Sequence, residues 1–198
     1  MRSNVCKIEK GTKDLAAILS ESERVAKYNG FSDKQTLQLR LLCEEIDGML
    51  PNVIDDFDGE LWIDFEDGVC KVNVSIKIPD FNADKKEELI GIARNKKNAA
   101  AVGVVGKIRD AIENFFLNDE ALGAFDADSD MFRSATGYSE GVDYAYLWTL
   151  EQYRGSVSAE ASDDWDELEK SVLASVADDV TVGVKGRRAH ITVVKKFS

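Results

Sequence analysis

"GELWIDFEDGVCKVNVSIKI", Gly59–Ile78, decides the fold. Leu61, Ile63 and Phe65 fall on alternate positions, and so do Val72, Val74, Ile76 and Ile78. Side chains of a strand point to opposite faces in turn, so this pattern marks two strands with one buried face each. Asp67-Gly68 between them is a two-residue hairpin turn. The stretch predicts an antiparallel hairpin.

Upstream the period changes. "KDLAAILSESERVAKYNGFS" places Leu15, Ile18, Leu19 and Val25 near helical spacing, and its last four residues supply a stop. Ser32 then precedes "DKQTLQLRLLCEEIDGML", in which Leu39, Leu42, Cys43, Ile46, Met49 and Leu50 form a one-sided stripe. Pro51 ends this second helix or marks its last turn. Gly48 lies inside it, at a cost of about 1 kcal/mol relative to alanine. Glu44 and Glu45 lie off the stripe, so solvent exposure explains them as readily as a site does.

Downstream, "DKKEELIGIARNKKNAAAVGVVGKIRDAIENFF" reads as helix, in one piece or broken near residues 95–98, with Ile108, Ile112, Phe115 and Phe116 as an apolar face. Residues 118–141 are polar, bear glycine and read as a long loop. "GVDYAYLWTLEQYRGSV" is expected to be helical, with Tyr146, Leu147, Leu150 and Tyr153 packing. Asp163 or Asp164 is expected to cap "WDELEKSVLASVA". "DVTVGVKGRRAHITVVKKF" is a second hairpin that turns at Lys185–Arg188.

Strands grouped in hairpins with helices between them indicate an α+β two-layer sandwich. Its mixed, largely antiparallel sheet would carry helices on one face, unlike a doubly wound parallel fold. With 198 residues the chain suits a single domain, 1–198, bearing an acidic insertion at about 117–165.

Charge narrows the partners. The net charge is −12, which does not suit non-specific binding of nucleic acid. From Leu117 to Glu169 there are 14 acidic residues, opposed only by Arg133 and Arg154. A solvated acidic face is the ordinary explanation, and a partner-selecting surface is the other. Cys6, Cys43 and Cys70 are odd in number and contain no CxxC, so neither a disulfide framework nor a zinc site is indicated. No apolar run reaches the roughly 18 residues of a membrane span, and no signal-peptide core is seen at the N-terminus. A cytoplasmic protein without a membrane partner is expected.

Three local motifs fail on inspection. "VGVVGKI", Val102–Ile108, has Ala101 and Ile108 where a P-loop needs glycine and a hydroxyl residue. "DADSDMFRSATG" has Asp126, Asp128 and Asp130 at calcium-loop spacing, but Met131 and Gly137 replace the turn glycine and the closing glutamate. His190 is the only histidine, so no histidine-based triad or zinc set assembles around it. Trp62, Trp148 and Trp165 sit among acidic residues and read as packing rather than base-stacking positions.

The order of elements resembles a known family. The helix ending "AKYNGFS", the helix "LQLRLLCEEIDGML" and the hairpin Gly59–Ile78 resemble the start of a GHKL-type ATPase domain. That group includes histidine-kinase catalytic domains, gyrase and the heat-shock chaperone ATPases. The likeness is strongest to bacterial anti-sigma-factor serine kinases. It covers residues 13–80 best, and "SVLASVADDVTVGVKGRRAHITVVKKF" resembles the fold's last helix and hairpin. The resemblance implies ATP or ADP as ligand. It gives Glu45 the role of orienting the attacking water, and Asp80 that of bonding the adenine amine. Gly103 and Gly106 are the nearest candidates for a second glycine box.

The departures matter as much. Met49 stands where the family's magnesium-binding asparagine would follow Glu45, and Gly48 stands there if Glu44 is taken instead. Asn82 and Asp84 replace both glycines after Asp80. Magnesium in the usual arrangement is therefore not implied. The resulting expectation is a degenerate bacterial regulatory domain, anti-sigma-factor-like, that binds a nucleotide or a partner protein with little or no catalysis. An active ATP-dependent kinase or ATPase and a purely structural interaction module are the alternatives. A homodimer is one arrangement open to it.

Overall fold

The computed structural model describes residues 1–11, 15–54, 57–77, 103–117, 145–157, 171–185 and 188–197. Their strands are β1 (Cys6–Glu9), β2 (Asp58–Glu66), β3 (Val69–Lys77), β4 (Ala145–Thr149), β5 (Asp179–Lys185) and β6 (Arg188–Lys196). Their helices are α1 (Leu15–Tyr28), α2 (Asp33–Val53), α3 (Gly103–Leu117), α4 (Leu150–Ser156) and α5 (Val172–Val176). The six strands form one sheet in the order β1-β2-β3-β6-β5-β4, and every pairing among them is antiparallel. The expected α+β sandwich is what the chain forms.

The first hairpin is present as read from Gly59 to Lys77. Asp67 and Gly68 both have positive φ, 49° and 79°, which is the backbone that a two-residue turn of this hand needs. The alternating set Leu61, Ile63, Val72, Val74 and Ile76 is buried. Ala189, Ile191 and Val193 of β6 and Val180, Val182 and Val184 of β5 continue the same face across the sheet. The helices share one core with that face: Ile18 and Val25 of α1, the α2 stripe, and Ile108 and Ile112 of α3 all join it.

The other face is polar. Asp64 accepts two bonds from the Arg2 guanidinium, at 2.7 and 2.9 Å, and one from Trp62 Nε1 at 3.0 Å. Asn73 Nδ2 also donates to Asp64, and its Oδ1 accepts from Thr192 Oγ1 at 3.1 Å. Partial burial pushes the Asp64 carboxyl up. Hydrogen bonds from Arg2 and Trp62, with the positive charge of Arg2, outweigh it and hold the carboxyl below its ordinary value. His190 lies half-buried in the middle of the sheet, opposite Ser75 and Gly183.

Three elements depart from expectation. β1 was not anticipated: only Cys6 and Ile8 alternate inward, too short a run to read. Ala145–Thr149 is a strand rather than helix, because it completes the sheet against β5. The helix begins only at Leu150, with Thr149 Oγ1 accepting from Gln152 N at 3.1 Å. Leu150 and Tyr153 are buried as expected. In the described part of the closing helix, Ser171 is the N-cap of α5, and Asp163 and Asp164 lie outside the described residues. So do the expected loop 118–141, the calcium-like run 126–137, the first part of the helical stretch before Gly103, and the end of the first hairpin beyond Lys77. Within the stretch read as an acidic insertion, residues 145–157 belong to the sandwich itself.

Candidate functional site

α2 carries the residues singled out for chemistry. Its start is fixed by a reciprocal cap: Ser32 Oγ accepts from Gln35 N, and Gln35 Oε1 accepts from Ser32 N at 2.9 Å. Its stripe is buried throughout: Leu39, Leu42, Cys43, Ile46, Met49, Leu50 and Val53. Pro51 sits in the last turn, and Ile54 N bonds Leu50 O at 3.0 Å to close the helix. α2 packs against α1 on one side and against α3 and α5 elsewhere.

The two adjacent glutamates have different fates. Glu44 accepts from Arg40 Nε at 3.1 Å, and Arg40 Nη1 reaches Glu23 of α1 at 2.8 Å. Glu44 is thus part of a surface clasp between α1 and α2, of the kind worth about 0–1 kcal/mol. Glu45 is half-buried and makes no hydrogen bond or ion pair with a described residue. One helical turn on, Gly48 is exposed, and a Cβ built there meets nothing within 4 Å. Close approach by the protein's own backbone therefore does not explain this glycine. Asn52 Nδ2 folds back on Gly48 O at 3.5 Å. Glu45, Gly48 and Asn52 line one outward strip, with the glycine as a notch between two polar side chains.

Met49, four residues on from Glu45, lies on the adjoining edge of the buried stripe. It is 3% exposed and belongs to the core. The position four residues after Glu45 is thus filled by packing, not by a metal ligand. Among the described residues no group of three His, Cys, Asp or Glu side chains is placed to hold a metal ion.

Gly103 opens α3 with φ +74°, a left-handed conformation that suits glycine. Gly106 is one turn further on, and α3 packs on α2 and β5. Asp80 lies outside the described residues, so nothing brings it together with Glu45 here.

Two further features were not foreseen. All three cysteines are buried, and Cys43 on α2 senses both Cys70 of β3 and Cys6 of β1. Burial drives the Cys43 thiol far above its ordinary range and pushes Cys70 up to about 12. Cys43 and Cys70 are packing groups of the core, and Cys6 joins it from β1. The second is an open groove of about 400 Å³ between β1 and α1, lined by Asn4, Val5, Cys6 and Lys7 on one side and Ala17, Ser20 and Glu21 on the other. Its signal in the sequence was the exposed residue between inward-facing Cys6 and Ile8.

The described residues thus define an α+β sandwich whose second helix offers a polar strip beside a core-filled position. No helix among them is long and apolar enough to cross a membrane. The chain matches no model of a known protein family and no curated protein.

Proposed function

We propose that this chain is a degenerate GHKL-type regulatory domain, related in shape to bacterial anti-sigma-factor kinases, which acts by binding and not by efficient catalysis. The carrying observation is Met49: it is buried in the core four residues beyond Glu45, at the position where the resemblance would call for a metal-binding asparagine. Such transfer depends on positioned metal and phosphate-cradling groups. The order of helices and hairpins that carries the resemblance supports the reading, as does the carboxylate of Glu45, which pairs with no described residue. On this reading ATP or ADP binds beside α2 without magnesium in the usual arrangement, Asp80 contacts the base, and Gly103 and Gly106 border the site. The setting is cytoplasmic, and the partner is a regulatory protein rather than nucleic acid or membrane.

The test is titration with a fluorescent ATP analogue, with and without magnesium, alongside thermal melting. Magnesium-independent binding that Asp80→Ala abolishes is the expected result. A ligand at about 100 times its Kd stabilises a native state by about 2.7 kcal/mol. An unchanged melting temperature at saturating nucleotide would rule the nucleotide out. It would leave the second reading, an interaction module, which the open groove beside β1 favours. Turnover lost in Glu45→Ala would instead support an active ATPase or kinase.

A further inference from the structure

Among the described strands, β1 is the outermost on its side of the sheet. Lys10 N donates to Phe57 O at 3.2 Å, in line with Cys6 facing Leu61 and Ile8 facing Gly59 across the ladder. Backbone groups of a strand alternate in direction. Cys6 and Ile8 therefore bond β2, while Lys7 and Glu9 turn their N–H and C=O groups outward. The side chains of Lys7 and Glu9 are exposed, and neither forms an ion pair with a described residue. Beside this edge lies the groove floored by Ala17 and Ser20 of α1, with Val5 52% exposed on its rim.

An unprotected edge is a template for another strand. The charges on this one are self-complementary in a single register. Antiparallel pairing of β1 with β1 of a second copy, centred on Ile8, sets each Lys7 opposite the other copy's Glu9. Four outward backbone bonds form at the same two positions. The neighbouring register, centred on Lys7, sets lysine against lysine. Opposite charges directly across a strand pair attract, and like charges repel.

We propose that this edge is a homodimer interface: two copies pair through β1 about a two-fold axis at Ile8, joining their sheets into one, with the small residues of α1 leaving room alongside. The proposal is independent of whether a nucleotide binds. The edge is short, so the dimer is concentration-dependent.

The experiment is sedimentation velocity over a wide concentration range on four proteins. The wild type is expected to dimerise. Lys7→Glu and Glu9→Lys each replace two attractive pairs by repulsive ones and weaken dimerisation at least about tenfold. An equimolar mixture of these two variants restores association as a heterodimer, since each then supplies what the other lacks. Lys7→Pro removes an outward N–H without touching the β2 ladder and also yields monomer. Both positions are exposed, and circular dichroism checks that each variant is folded. A wild type that stays monomeric, or a dimer indifferent to charge reversal and to Lys7→Pro, overturns the proposal, as does failure of the mixture to associate.

Discussion

Glu45 and Met49 stand about one turn apart on α2, at the edge of its buried stripe: Glu45 is half-buried and forms no ion pair with a described residue, and Met49 is 3% exposed in the core. The two side chains lie only about 40° apart around the helix axis, so Glu45 sits at the border of the buried stripe to which Met49 belongs. Glu45→Ala is expected to change stability by no more than about 0.5 kcal/mol, as surface substitutions do. Met49→Asn buries an amide among apolar side chains and is expected to cost roughly 2–4 kcal/mol, without creating magnesium binding. Urea denaturation with isothermal titration of magnesium checks both.

Gly48 and Gly59 respond oppositely to alanine. Gly48 is exposed and helical, and a Cβ there meets nothing. Gly48→Ala should raise stability by about 0.5–1 kcal/mol. A fall would show that the notch beside Glu45 holds something other than solvent.

Gly59 is the tight case. A Cβ on it would lie 2.5 Å from Ser75 O and 3.1 Å from Ile76 Cα, across the β2–β3 pair. Backbone on a central ladder cannot swing aside as a side chain does. Gly59→Ala is expected to destabilise by about 1–3 kcal/mol in chemical denaturation.

The thiols give a pH dependence. Cys70 ionises near 12 in the folded chain, against 9.0 for an ordinary thiol, and Cys43 is raised further. Between those limits the unfolded chain has lost a proton that the folded chain keeps, so stability falls as pH rises above about 9. Each thiol contributes a slope of up to about 1.4 kcal/mol per pH unit there. Cys70→Ala should flatten the decline measured by urea titration at pH 9–11. At neutral pH, a disulfide-exchange reagent should label Cys43 and Cys70 only after denaturant is added.

Much of the sandwich was legible because its signals are long. The stripe from Leu39 to Leu50 spans three turns, and the hairpin strands alternate over nine residues each. β1 has four residues, only two of them inward, and is a strand because β2 offers it a partner. At "AYLWT" pairing with β5 overrode a run that continues smoothly into a helix. The Thr149-x-x-Gln152 spacing marked the true start of that helix. At the candidate site, the outward glutamate could be read from the stripe. The Arg40–Glu44 pair follows from i,i+4 spacing and was open to reading, whereas the reach of Arg40 to Glu23 depends on α1 packing alongside, which no local pattern reveals.

β6, at residues 188–196, lies between β3 and β5 in the middle of the sheet, and its partner β3 precedes it by more than a hundred residues. As the chain emerges from a ribosome, β1, β2 and β3 can assemble early. They must then wait with one long flank of β3 bare until the final hairpin arrives. The half-built sheet is the species most exposed to wrong pairing. Arrival of the last hairpin, not of the first, is the step that commits this sheet to its structure.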